Sequence, residues 1–240
     1  MPRRVHGRGE GTQSLEHAPT SGQPRFDASA TSLSFGGVRP LGDRYSFAAT
    51  LSLSERLPVA EELYSDGPHL ATGVVQVGDF GLGRETARHL DVGVRGSAGG
   101  VAWSVTAFHT QYDDFIYLDD TGEVDFEREL PVFAYRQGDV DFSGLEAEIF
   151  LLLLATRGHE VDARLFADYV RGELETGESL PRLPPLRYGA RFEYHNERLL
   201  VGVEATRYDR QDHTAAYETP TPGYLLVNAD LRWRFGADAG

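Results

Sequence analysis

The sequence predicts an all-β fold, an antiparallel up-and-down meander of about nine long strands forming the wall of a transmembrane barrel. Three observations predict it. Apolar and polar residues alternate with period 2, the mark of a strand with two different faces. The alternating segments reach the roughly 9–11 residues that a tilted strand needs to cross a bilayer, whereas strands of soluble sheets run about 5–6. The connections alternate short and long, as in outer-membrane barrels, whose turns are short on one side and loops longer on the other.

The strands are expected near 28–38, 45–56, 86–98, 101–118, 134–153, 160–174, 187–196, 199–211 and 223–235. In the third, Leu90, Val92 and Val94 alternate with His89, Asp91 and Arg95. In the fifth, Leu145, Ala147, Ile149, Leu151 and Leu153 share a parity, against Glu146 and Glu148. The sixth sets Val161, Ala163, Leu165, Ala167 and Tyr169 against Asp162, Arg164 and Asp168. The seventh sets Leu186, Tyr188, Ala190, Phe192 and Tyr194 against Arg187, Arg191, Glu193 and His195. The last sets Leu225, Val227, Ala229, Leu231, Trp233 and Phe235 against Asn228, Asp230, Arg232 and Arg234.

The short connections are Arg39–Arg44, Ala98–Gly100, Ala155–His159 and Asn196–Arg198; the long ones are Leu57–Glu85, Asp119–Phe133, Glu175–Leu186 and Asp212–Pro222. The apolar parity suits lipid and the charged parity a wet lumen. Tyr45, Tyr117, Tyr169, Tyr194, Tyr208, Tyr224 and Phe235 near strand ends suit interfacial aromatic girdles. The one helical turn expected is Val59–Tyr64, led by Pro58. Residues 1–24 are expected to be irregular or disordered, and 25–240 to form the barrel segment.

Composition excludes several classes. With no cysteine, disulfide scaffolds, thiol chemistry and Cys-ligated zinc are ruled out. The net charge of -14, with every one of the 23 bases an Arg, opposes nonspecific nucleic-acid binding. The longest apolar run, Ile149–Ala155, is far short of the roughly 20 residues of a membrane-spanning helix. Met1–Gln23 has no apolar core of the signal-peptide kind.

The loops carry a resemblance. Residues 55–73 read Glu-Arg-Leu-Pro-Val-Ala-Glu-Glu-Leu-Tyr-Ser-Asp-Gly-Pro-His-Leu-Ala-Thr-Gly, and 77–85 continue Val-Gly-Asp-Phe-Gly-Leu-Gly-Arg-Glu. This resembles the C-terminal barrel half of TonB-dependent outer-membrane receptors, where R-x-P-x-x-x-E-L-Y is followed by G-N-P-x-L-x-x-E. The Gly67–Thr72 insert is similar to one branch of the family, which includes zinc-uptake receptors. Tyr112-Asp113-Asp114-Phe115-Ile116, Gly144-Leu145-Glu146-Ala147-Glu148, Leu180–Arg187 and Thr221-Pro222-Gly223-Tyr224 match in the same order. Phe80-Gly81 departs from the usual Asn-Pro.

The resemblance covers about residues 26–235 and implies part of a 22-strand transmembrane barrel in a Gram-negative outer membrane. It implies receptors that bind a scarce ligand (siderophore, haem, cobalamin or metal ion) and import it when the TonB complex pulls on a plug domain. The plug, its TonB box and the first dozen or so strands have no counterpart in these residues, so a fragment not competent for transport by itself is expected. An autonomous small outer-membrane barrel of structural or adhesive role, and a soluble all-β binding module, are the alternatives.

No catalytic, metal or cofactor set is assigned, and enzyme activity is not expected. His69 with Glu62 and Asp66, and His89, carry donors that suit a divalent ion, but no paired-histidine spacing organises them. The plainer readings are a loop residue on its own hairpin for His69 and a solvated side chain for His89. Tyr64, His69, Asp119 and Asp120 are expected on the extracellular ligand loops. Ser143 and His109 lie in no nucleophile motif. Pro181–Pro185 reads as a rigid loop entering the seventh strand.

Overall fold

The computed structural model describes residues 7–16 and 27–235. The strands are β1 (Gly7–Glu16), β2 (Asp27–Leu41), β3 (Tyr45–Arg56), β4 (Asp66–His69), β5 (Val74–Val77), β6 (Glu85–Ala98), β7 (Val101–Asp125), β8 (Leu130–Thr156), β9 (His159–Leu174), β10 (Arg187–Asn196), β11 (Leu199–Tyr208) and β12 (Tyr224–Trp233). One helical turn, α1 (Ala60–Tyr64), lies between β3 and β4. All belong to one sheet, whose main path runs β1-β2-β3-β6-β7-β8-β9-β10-β11-β12, every step antiparallel. Among the described residues no helix is long and apolar enough to cross a membrane.

Register turns the alternation into two faces. Tyr45, Gly96, Trp103, Ile149, Leu165, Ala190, Ala205 and Val227 form one continuous row across seven strand pairs. Its large members stay exposed: Ile149 and Leu165 at 39% and Val227 at 59%. Among the described residues no protein layer covers this apolar face. One residue along, Ser104, Glu148, Phe166, Gly189 and Thr206 form a row on the opposite face. Gly96 leaves the space that the Tyr45 and Trp103 rings, 6.2 Å apart, need on the apolar face.

At one end the connections are minimal: 42–44, 99–100, 157–158 and 197–198. Gly99 and Gly100 both have positive φ (57° and 82°), the backbone of a two-residue hairpin turn that β-carbons oppose. At the other end lie the excursions 57–84, 175–186 and 209–223.

Four expectations change. Residues 7–16, expected to be irregular, form β1, paired residue for residue with Asp27–Gly36 of β2. Its sequence alternates Gly7, Gly9 and Gly11 with Arg8, Glu10 and Thr12, so no apolar parity announces it; residues 1–6 and 17–24 lie outside the described residues. The expected loop Asp119–Phe133 is a hairpin in which β7 and β8 run on to Asp125 and Leu130, with a second register shift between Asp120 and Val124. Leu153 leaves its expected parity: the register slips between Leu152 and Leu154, and Leu154 faces Val161. Tyr208 and Tyr224 stack on each other (4.6 Å, 14°) on the polar parity, so they do not belong to a lipid-facing girdle.

Candidate functional site: outer lobe and polar face

The long excursions condense into a lobe at the end opposite the short turns. Its anchor is Arg56, the last residue of β3. One edge of the guanidinium donates to both Glu62 oxygens (3.0 and 2.9 Å) and the other to Glu85 Oε2 (2.9 Å) and Oε1 (3.4 Å). Glu85 is buried and also accepts the Ile116 N–H at 3.0 Å. Glu62 accepts the Val59 N–H at 2.8 Å, closing the turn of α1. A planar, permanently charged fork satisfies both of these poorly solvated carboxylates at once.

Leu57 and Pro58 are fully buried beside this anchor, and Leu63, Leu82 and Ile116 form the lobe's core with Tyr64 and Tyr135 against it. The short hairpin β4–β5 reaches across to the β8 extension and pairs with it in parallel, Val75 to Val132, Gln76 to Phe133 and Val77 to Ala134. Gln137 bridges the Gly83 backbone in both directions (2.7 and 3.1 Å) and donates to the Asp114 carbonyl at 2.8 Å. At the Phe80-Gly81 departure Asp79 accepts the Gly81 N–H at 2.7 Å and Phe80 packs edge-on against Tyr64 at 5.2 Å.

From the last excursion Tyr217 packs edge-on against Phe133 (5.1 Å) and donates its hydroxyl to the Leu118 carbonyl (3.1 Å). The proline stretch is held along the same excursion: Gln211 donates to the Leu183 carbonyl at 2.6 Å and Asp209 N–H to Leu186 at 3.0 Å. Burial, with Glu61 beside it, pushes the Tyr135 hydroxyl up to about 12. Burial and Glu218 do the same for Tyr217, also to about 12.

The residues singled out from sequence divide accordingly. Glu62 is committed to Arg56, and Tyr64 to packing. His69 Nδ1 meets Thr72 Oγ1 at 2.9 Å within its own hairpin, while Asp66 begins that hairpin opposite Val77. His89 lies on the polar face, 2.7 Å from the Thr110 hydroxyl. Asp119 pairs with Arg136 at 3.0 Å and Asp120 accepts the Gly122 N–H at 2.9 Å, both in the β7–β8 extension. The structure does not gather His69, Glu62, Asp66 and His89 around one point. Arg56 and Glu85, which organise the lobe, escaped selection because their contact spans 29 residues and no local spacing reveals it.

The polar face is a mesh of charge. Arg164 bonds Glu148, and Arg187 pairs with Asp168 at 2.6 Å; both guanidinium groups lie over the Phe166 ring (4.9 and 5.8 Å). Arg191 joins Glu193 and Asp230, each at 2.8 Å, spanning β10 to β12 across Gly202, where a β-carbon would strike the guanidinium. On the other parity His109 lies 2.8 Å from Ser143 Oγ and 3.5 Å from Asp141 Oδ1. The three residues have the types of a hydrolytic triad. All sit mid-strand, however, where the backbone N–H groups belong to the ladder and no pair of them is turned toward an oxyanion. They form a hydrogen-bonded surface cluster.

Comparison with known proteins agrees with this architecture. A model of the family described as TonB dependent receptor-like, beta-barrel matches residues 7–239. Among solved structures the chain is similar to the copper transporter OprC (TM-score 0.73, 19% identity, 88% of this chain and 33% of that one). It is also similar to the FrpB iron transporter from Neisseria meningitidis, F5-1 variant (0.68, 14%, 98% and 37%). A third is the siderophore receptor PirA from Acinetobacter baumannii (0.64, 15%, 88% and 36%). The chain thus spans about a third of the length of each. The exposed apolar face, the charged opposite face, the one-sided loops and the family match lead to one assignment: the chain belongs to the TonB-dependent receptor β-barrel family.

Proposed function

We propose that this chain is an arc of the barrel wall of an outer-membrane receptor, with its apolar face in lipid, its charged face in the lumen and its lobe outside the cell. The family is one of receptors and transporters, not enzymes, and the lobe supplies part of the surface on which a scarce ligand (a siderophore, haem, cobalamin or a metal ion) is captured for import. Energised coupling to the TonB complex is assigned to the whole receptor. The observation that carries this reading is the row from Tyr45 to Val227, apolar and uncovered across the sheet, backed by a face of Arg–carboxylate pairs. Among the described residues β1 and β12 are the edges of the sheet, and ladder groups at an edge in hydrocarbon need partners such as a closed barrel gives them.

The chain has no cysteine, so single cysteines report position directly. In Gram-negative cells expressing the protein behind a cleavable export signal, Leu70→Cys, in the turn that closes β4–β5, is expected to react with a membrane-impermeant maleimide on intact cells. Asp43→Cys, in the first short turn, is expected to react only after the outer membrane is opened. Recovery of the chain in the soluble fraction, or the opposite labelling pattern, would overturn the proposal.

A further inference from the structure

Glu148, Asp168, Glu193 and Asp230 on the polar face each meet a guanidinium. At the end near the short turns the arrangement changes. Glu160 and Asp162 of β9 project from the same face, and the group between them is the imidazole of His195 in β10. His195 Nε2 lies 3.3 Å from Glu160 Oε1 and 3.6 Å from Asp162 Oδ2, and the three ligand atoms all fall within 4.8 Å of one another. The residues are half-buried, and ladder pairing fixes their backbones: His195 stands opposite Glu160, and Glu193 opposite Asp162.

We infer that Glu160, Asp162 and His195 form a binding site for a borderline divalent cation of the Zn²⁺ type on the lumen wall, one row in from the short turns. Metal–ligand distances of about 2.0–2.1 Å in a tetrahedron place ligand atoms about 3.3 Å apart. The two separations from His195 already match this, so the cation enters with small side-chain adjustments and no backbone change. One imidazole with two carboxylates suits Zn²⁺ and its neighbours. Mg²⁺ and Ca²⁺ favour all-oxygen shells, and Cu(I) favours the sulfur ligands missing here. Three protein ligands leave a fourth position open to water or to a passing ligand's own donor atom. The cation also offsets the repulsion between two carboxylates that share a single imidazole. Asp162 and His195 stand on the charged parity in the sequence, but no local spacing marks them as ligands, because the cluster joins two strands 33 to 35 residues apart.

The site depends on the polar parity facing the lumen but not on which ligand is imported, so its test fails separately from the cysteine labelling. The full chain in detergent micelles is titrated with Co²⁺ and then Zn²⁺. One equivalent of Co²⁺ is expected to develop the visible bands of a low-coordinate ion, and Zn²⁺ to abolish them. His195→Gln and Asp162→Asn are each expected to weaken binding at least tenfold, and His213→Gln, in an outer loop, to leave it unchanged. All variants are compared at matched β-sheet circular dichroism. If a variant loses that spectrum, the unaltered chain decides: Zn²⁺ is expected to protect His195 from diethyl pyrocarbonate. A folded wild-type chain without the bands, binding that survives the double variant, or equal modification of His195 with and without Zn²⁺ overturns the inference.

Discussion

At Arg56 one guanidinium satisfies two carboxylates whose side chains are only 12% and 8% exposed, so the three residues act as a unit. Arg56→Met strands both charges. Breaking a fully buried pair costs about 3–5 kcal/mol; Arg56 is itself 37% exposed, so a loss on the order of 2 kcal/mol is expected for the lobe. Limited proteolysis of the lobe, with the sheet intact, would read it out. Tyr217 offers a milder test. Tyr217→Phe keeps the edge contact with Phe133 but loses the bond to Leu118, for about 1 kcal/mol. Tyr135 and Tyr217 also set an alkaline limit. Their folded-state values are raised from 10 to about 12, so the folded lobe holds protons that the unfolded chain releases. Their contribution is complete below pH 10 and falls as pH rises through 12. Tyrosinate absorbance should therefore show late-titrating hydroxyls that Tyr135→Phe and Tyr217→Phe each reduce by one, and lobe stability should drop across that window.

The elements divide into those that the sequence displays and those that it hides. Where one face of the sheet is apolar and the other polar, alternation is forced, and β2, β3 and β6 to β12 are all legible through it. Residues 119–125 of β7 carry no apolar parity. The extension of β7 and β8, carrying Asp119, Asp120, Thr121 and Glu123, therefore reads like a loop although its backbone stays paired. In β1 glycines occupy one parity, and only the edge of β2 reveals the strand. The parallel seam of β5 with β8 has no local signal, since it joins residues 57 positions apart. In the short turn Gly99–Gly100 both residues have positive φ. Gly100→Val forces a β-branched residue to φ 82°, which costs about 1–2 kcal/mol. Slower folding into detergent or lipid vesicles should show it, with little change at the lobe.

The whole molecule is a two-faced sheet, and the faces respond differently to the same change. Val105 lies on the apolar face between Val94 and Ala147, and Thr106 on the polar face between Gly93 and Glu146. Val105→Arg is expected to destabilise the vesicle-inserted protein by about 2–4 kcal/mol. Thr106→Arg, beside Glu146, is expected to be tolerated. Urea unfolding from vesicles measures both, and equal effects would mean that neither face contacts lipid.

At about 3.4 Å per residue the 25 residues of β7 extend over 80 Å along the strand, against an apolar band roughly 25 Å tall. The hairpin tip, where Phe126 is 90% exposed, therefore stands far beyond any such band. In the orientation proposed above, whatever approaches from outside reaches residues 126–129 first, and those residues can change without touching the sheet below.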